Sequence, residues 1–321
     1  MEKVLVTGAN GFIGSHLVEA LLKNGYQVRA LVRKSADLKW LAGLPCEIVY
    51  GAISEINTLF PAVENVDFIC HTAGATKAKT IEEFALINYG GTQNLLNACL
   101  KKNINLKRFV LFSSLAAVGP SDNSQSITEE KACYPISNYG TTKQQAESAV
   151  LEFKDKIPSV ILRLSAIYGP RDKEILFYFK LLKKGVRPIF GETFSLCYVK
   201  DAVNAVILSL ERDISSGSIY NIADAKCYTY DDVAIIAEQI LNKKTLRIKV
   251  PKAILLAYAT ILHKISQGKS IINPDKIKEL TSKCWVCDYK KASNELGFTA
   301  KYSLEDGLRE TIEWYQGQGW L

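Results

Sequence analysis

Val4-Leu5-Val6-Thr7-Gly8-Ala9-Asn10-Gly11-Phe12-Ile13-Gly14 runs from a short apolar strand through a glycine-rich turn into a helix. Val4 to Val6 reads as a buried parallel strand, and Ile13, Leu17, Val18, Leu21 and Leu22 recur at helical spacing. Gly8, Gly11 and Gly14 form G-x-x-G-x-x-G. In such a turn the first glycine allows the tight bend, the second lets the backbone approach a pyrophosphate, and the third lets helix and strand pack closely. The helix N-terminus that follows offers free N–H groups and a partial positive charge to that pyrophosphate. The strand–turn–helix context turns three loop glycines into a dinucleotide site, with Asn10, Phe12 and Ile13 beside the ligand.

The next strand, Gln27 to Arg33, ends where an NAD-specific site places an acid for the ribose 2′-hydroxyl. No Asp or Glu stands there; Arg33 and Lys34 do, and a guanidinium suits a 2′-phosphate. NADP is therefore the expected cofactor and NAD the alternative.

Strand and helix patterns alternate through the first half. The strands are expected at Val4–Thr7, Gln27–Val32, Glu47–Tyr50, Phe68–Cys70, Arg108–Phe112 and Val160–Leu164, with long helices at Ile81–Lys102 and Tyr139–Phe153. This alternation predicts an α/β fold, a doubly wound parallel sheet of the Rossmann kind, with ligands beyond the carboxyl ends of the strands. Residues 1–165 are read as the dinucleotide-binding core and 166–321 mainly as a smaller substrate-binding part, with the chain returning to the core near 186–224. Helices are expected near 172–184, 199–211, 230–242 and 252–265.

The chain has 321 residues, 48% of them hydrophobic and 23% charged, an ordinary soluble composition. Its net charge of +7 is not gathered in a long Lys/Arg run, and no motif supports nucleic-acid binding. Eight cysteines without framework spacing suggest reduced thiols and a cytoplasmic protein. Cys284-Trp-Val-Cys287, an isolated C-x-x-C, suits strand packing better than a metal, and no metal is expected. The glycine turn begins too near Met1 for a signal peptide, and Ala253 to Leu262 falls short of the ~20 residues of a membrane span. A helix near 252–265 flanked by Lys252, Lys264 and Lys269 is amphipathic enough to touch a membrane surface.

Tyr139-Gly-Thr-Thr-Lys143 sets a phenol and an ammonium one helical turn apart. A free tyrosine ionises near ~10, too high for acid–base work at neutral pH. An ammonium held beside it pulls that value down.

Taken together, T-G-A-N-G-F-I-G (Thr7 to Gly14), H-T-A-G (His71 to Gly74), N-Y-G-G-T-Q-N-L-L (Asn88 to Leu96), Ser113-Ser114, Y-G-T-T-K, R-L-S-A-I-Y-G-P (Arg163 to Pro170), Y-V-K-D (Tyr198 to Asp201), Y-N-I-A (Tyr220 to Ala223) and L-G-F (Leu296 to Phe298) make the chain resemble the extended short-chain dehydrogenase/reductase family over nearly its whole length. The resemblance implies hydride transfer between nicotinamide and a hydroxyl/ketone carbon. Tyr139 would exchange a proton with the substrate oxygen, Ser114 would hold that oxygen, and Lys143 would tune the phenol and bind the nicotinamide ribose. Ala73 and Gly74 would line the cofactor, Asn88 would brace that wall, and Ile167 would lie near the nicotinamide. Ser113 would meet the cofactor or stay structural. A homodimer across the helices at 81–102 and 139–154 is also implied.

The chain departs from the family pattern in informative ways. Leu115-Ala116 follows Ser114 where dehydratases carry Asp-Glu. Ala166 and Phe194 stand where sugar-nucleotide epimerases place an asparagine and an arginine for the diphosphate, although Lys180, Lys183, Lys184, Arg187 or Arg171 could substitute. Phe177, Tyr178, Phe179, Phe190, Phe194 and the stretch Pro251 to Leu262 look suited to an apolar pocket, as in the steroid-dehydrogenase-like and dihydroflavonol-reductase-like branches. The leading expectation is an NAD(P)-dependent reductase or dehydrogenase of a small-molecule ketone or alcohol. The alternative is a nucleotide-sugar 4-epimerase with tightly held NAD, and a non-catalytic cofactor sensor stands third.

Overall fold

A computed structural model describes residues 1–121, 125–268, 270 and 272–321. Its first half builds β1 (Lys3–Thr7), α1 (Phe12–Lys23), β2 (Gln27–Val32), β3 (Glu47–Tyr50), α2 (Ile56–Val63), β4 (Phe68–His71), α3 (Ile81–Ala85), α4 (Gly91–Lys102), β5 (Arg108–Ser114), α5 (Asn138–Glu152) and β6 (Ser159–Leu164). Then follow β7 (Ala166–Tyr168), α6 (Glu174–Lys183), β8 (Val186–Ile189), β9 (Thr193–Tyr198), α7 (Val199–Glu211), β10 (Ser218–Ile222) and β11 (Cys227–Tyr228). The chain closes with α8 (Tyr230–Leu241), β12 (Leu246–Lys249), α9 (Lys252–Ile265), α10 (Pro274–Leu280), β13 (Cys284–Trp285) and α11 (Leu304–Gly317).

Among the described residues the main sheet has seven strands in the order β10-β6-β5-β4-β1-β2-β3, every pair parallel. Successive side chains of a strand point to opposite faces, so β1 feeds two cores at once. Val4 and Val6 face α1 and α7, packing with Leu17, Val18, Leu21, Val203 and Val206. Leu5 faces the other way, with Leu95 and Leu96 of α4 and Ala146, Ala149 and Val150 of α5. The chain winds outward from β1 through β2 to β3, then resumes on the other side of β1 at β4. That reversal is the switch point where an open parallel sheet forms its crevice.

After β6 the chain leaves the sheet for β7, α6, β8 and β9, then returns with α7 and β10. The excursion has its own core, in which Tyr168, Phe179, Tyr198, Leu308 and Tyr315 are buried. β9 centres a second, smaller sheet with β11, β13 and β7, and β12 pairs with β8.

One expected helix is interrupted. The predicted stretch Ile81–Lys102 is α3, a π turn at Leu86–Gly90, and α4. Such a turn inserts one extra residue and re-aims the side chains on it. Asn88 lies within it, buried.

Candidate active site

The glycine turn crosses the carboxyl end of β1 at the switch point. Gly8 has φ +67°, a conformation that favours glycine, and a Cβ there would lie 2.9 Å from the backbone of Ala73. Gly11 flanks the start of α1 without a side-chain cap, and no acid stands in the first turn of the helix. Its first N–H groups thus lack helical partners, and Gly14 is buried against the turn itself, where a Cβ would lie 2.2 Å from the Gly8 carbonyl oxygen. This cradle fits a dinucleotide pyrophosphate. Phe12 and Ile13 are half-buried behind the turn, Phe12 set edge-on to His16. Asn10 Nδ2 donates to the Asp37 carbonyl at 3.3 Å, tying the turn to the loop after β2. Arg33 stands exposed at the start of that loop.

The opposite wall follows β4. Ala73 N–H donates to Thr7 Oγ1 at 3.2 Å, and the same hydroxyl bonds His71 Nδ1 at 2.8 Å. His71 is buried, and desolvation, with Lys143 adding to it, depresses its pKa to about 3, so it stays neutral. Asn88 grips the next residue from both sides: its Oδ1 accepts from Ala75 N–H at 2.7 Å and its Nδ2 donates to the Ala75 carbonyl at 3.1 Å. The same Nδ2 reaches Thr142 Oγ1 on α5 at 3.0 Å. One amide thereby links the wall that holds Ala73 and Gly74 to the helix that carries Tyr139. Ile167, on β7 beyond the end of β6, is half-buried between the sheet core and the second core.

Tyr139 sits in the first turn of α5, capped by Ser137, whose Oγ accepts from Gly140 N–H at 3.0 Å. A Cβ at Gly140 would lie 2.3 Å from the Ala116 carbonyl, so the close approach of α5 to the Ser114 loop requires glycine. Ser114 ends β5, where its Oγ accepts from Ala116 N–H at 3.1 Å. Burial pushes the Tyr139 phenol up to about 12 and Glu279 adds to the rise, while Lys276 and a hydrogen bond with Ser114 oppose it. Ser114 and Tyr139 thus meet.

Lys143 behaves differently from the sequence expectation. Its buried Nζ donates to the Phe112 carbonyl of β5, and burial lowers its pKa to about 8. The cation acting most strongly on Tyr139 is Lys276 of α10, because Lys143 is drawn toward the sheet.

Lys276 belongs to a polar cluster that the sequence reading did not find. Its Nζ pairs with Glu174 of α6 at 3.1 Å, and both side chains remain about one-third accessible, 37% and 35%. By this pairing the Glu174 carboxylate raises the Lys276 ammonium and Lys276 depresses the Glu174 carboxyl. Burial lowers the Lys77 ammonium, which also acts on Glu174. α10 clasps the start of α5 as well: Asn138 N–H donates to Asp275 Oδ2 at 2.9 Å and Ser137 Oγ donates to Glu279 Oε1 at 2.6 Å. The sequence signal was Asn273-Pro274, which caps and opens α10, but no motif marks Lys276.

Other motif residues prove structural. Ser113 Oγ donates to Glu147 at 2.5 Å, and Glu147 pairs with Arg163 at 2.8 Å, both side chains 4% exposed. Asp201 accepts from the backbone N–H groups of Lys301 and Tyr302, and Asn221 Nδ2 from β10 reaches the Ile127 and Asp288 carbonyls. Cys284 and Cys287 are buried free thiols, their backbones bridged to Ser121 and Ile127.

Beyond the main sheet, Phe190, Phe194 and Tyr178 gather around the Tyr230 ring at 5.5, 4.9 and 6.1 Å. Phe179 instead packs into the second core, and Phe177 is exposed. The stretch Pro251 to Leu262 turns largely outward, not inward as an apolar pocket wall would: Ala259 is buried while Ile254, Tyr258 and Ile261 are exposed. A helix buried on one narrow strip leaves its other apolar positions outside. Lys269, expected to flank this helix, lies outside the described residues. Two of the possible phosphate ligands are spent on carboxylates, Arg171 on Glu19 at 2.5 Å and Arg187 on Asp231 and Glu238 at 3.0 and 2.9 Å.

The fold and this constellation define a dinucleotide-dependent enzyme of the extended short-chain dehydrogenase/reductase type. The sequence model of the NAD dependent epimerase/dehydratase family matches residues 4–223, and the chain belongs to that family. The chain is similar to a ceramide reductase of Caulobacter vibrioides, 29% identical over 99% of this chain and 96% of that protein. It is similar also to a decarboxylating sterol-4-alpha-carboxylate 3-dehydrogenase of Dictyostelium discoideum, 24% identical over 97% of this chain and all of that protein. Among solved structures, a UDP-glucuronic acid 4-epimerase from Bacillus cereus in complex with UDP-glucuronic acid and NAD superposes with TM-score 0.79 at 26% identity, covering 98% of this chain and 99% of that one. Among the described residues no helix is long and apolar enough to cross a membrane.

Proposed function

We propose that this enzyme reduces or oxidises a ketone/hydroxyl pair on a lipid-like substrate, with NADP exchanging at each turnover. The observation that carries this reading is the substrate side of the cleft. Ala166 and Phe194 stand where a diphosphate would need ligands, Arg171 and Arg187 are held by carboxylates, and aromatic side chains surround Tyr230. The similarity to enzymes named for ceramide and sterol substrates supports the same class.

The cofactor, when bound in the cradle of Gly8, Gly11 and Gly14 against Ala73 and Gly74, supplies or accepts the hydride. In the reducing direction the carbonyl carbon gains that hydride and Tyr139 gives its phenolic proton to the oxygen, so an alcohol leaves and the phenol regains a proton from solvent. Ser114 holds the same oxygen. Lys143 is placed one turn beyond Tyr139, where its ammonium, now bonded to the Phe112 carbonyl, would hold the ribose of a bound cofactor. The ion-paired Lys276–Glu174 adds polar contacts without net charge, suited to a neutral polar head. Arg33, exposed beyond β2, suits a 2′-phosphate and supports NADP. Free thiols at all eight cysteines suit a reducing, cytoplasmic setting, and α4 and α5 offer the seam of a homodimer.

The test is a panel of long-chain ketones in detergent with NADPH, beside UDP-sugars with NAD. Turnover of a long-chain ketone is expected. Epimerisation of a UDP-sugar with no ketone turned over would replace this reading with the epimerase.

A further inference from the structure

The positive excess of the chain collects in one segment. Residues 242–268 carry six Lys or Arg side chains and no carboxylate, against a net charge of +7 for the whole. Within that segment α9 turns a row of large apolar side chains to solvent: Ile254 is 60% exposed, Tyr258 54%, Ile261 57% and Ile265 75%. Successive members lie three or four residues apart and so share one helical face. A contiguous row of this kind marks an interaction site, unlike apolar residues scattered singly. Lys252 and Lys264 stand exposed at its two ends.

The face borders the active site. α9 packs on α10, the helix that carries Lys276 and clasps Ser137 and Asn138. At its other end His263 Nε2 bonds the Lys79 carbonyl at 3.3 Å, in the loop that continues the cofactor wall. A cavity of about 480 Å³, lined by Ile189, Glu192, Tyr230, Asp231, Arg247 and Lys249, opens between Tyr230 and β12, the strand leading into α9.

We propose that α9 docks on an anionic lipid bilayer, its apolar row in the acyl boundary and its lysines among the phosphates, so that a lipid substrate reaches Tyr139 without crossing bulk water. Charge selects this occupant. Arg247 of that segment is paired with Asp231 at 3.0 Å, but a second copy of the chain on the same face would set the exposed Lys252 and Lys264 against the same lysines, and like charges oppose such a contact. An anionic surface complements both the apolar row and its basic rim. The proposal rests on the lipid-like substrate proposed above.

The test is sedimentation of the full chain with phosphatidylcholine vesicles, with and without phosphatidylglycerol, at low and high salt. Binding is expected with phosphatidylglycerol and should weaken in its absence or in salt. Ile261→Asn combined with Ile265→Asn should lower the partition coefficient at least about tenfold while NADPH affinity and Tm hold. Absence of binding, equal binding to both vesicle types, or binding indifferent to the double substitution would overturn the proposal. So would a dimer in light scattering that the double substitution dissolves. Turnover of a detergent-dispersed ketone reads the catalytic proposal separately: binding without turnover refutes that reading and leaves the docking face standing.

Discussion

Tyr139 is a phenol raised by burial and tuned by opposing neighbours, Glu279 and Lys276. Replacing it with Phe removes the proposed proton donor while leaving the cradle intact, so kcat should fall by about 10²–10⁴-fold with cofactor affinity unchanged. Reduction needs the protonated phenol and is lost as pH rises through its pKa. Lys276→Met removes a charge that favours the phenolate, raising that pKa and moving the alkaline limb of kcat/KM upward. Glu279→Gln removes a carboxylate that disfavours it and moves the limb downward. Shifts of the opposite sign would contradict the assignment. Asp172 makes a stability prediction. Burial lifts its carboxyl to about 7 although the N–H groups of Glu174 and Ile175 favour its charge. Its folded pKa exceeds its unfolded value, so its contribution is full below the ordinary carboxylate range and is lost as pH rises to about 7. Asp172→Asn should flatten that part of the Tm profile, measured by thermal scans across the window.

At the scale of elements, α5 is held at three points: Asn88 on Thr142, Glu147 on Arg163 and Ser113, and α10 on Ser137 and Asn138. Glu147→Ala would leave the Arg163 guanidinium buried and unpaired, at a cost of about 3–5 kcal/mol measurable by urea unfolding. Much of this was legible in sequence and part was not. β2, β3, α7 and α9 lie where the residue pattern places them, because apolar periodicity reports which face is buried. The π turn at Leu86–Gly90 was hidden, since one extra residue hardly disturbs a helical pattern. Lys276 was hidden for another reason: it reaches Tyr139 across more than a hundred residues of chain, and a charged side chain on a short helix looks solvated. The interior of α9 misled in the reverse sense, its apolar residues implying burial that the fold does not provide.

At the scale of the molecule, the reversal of strand order between β1 and β4 brings together the cradle, the Ala73 wall, the Ser114 loop and α5. The glycine turn and strand alternation made that arrangement readable, whereas the substrate side depends on contacts among distant segments that no local pattern encodes. Arg33→Ala should weaken NADPH binding about tenfold or more and leave NADH nearly unchanged, read by fluorescence titration. The claim that the enzyme passes hydride to a lipid-like ketone from an exchanging cofactor is tested most directly by C4-deuterated NADPH of each face with a long-chain ketone. Deuterium on the carbinol carbon of the product from one of the two faces, at a rate that Tyr139→Phe lowers by about 10²–10⁴-fold, is the predicted result. Stoichiometric NAD that co-purifies and does not exchange, with no deuterium in any alcohol, would contradict it.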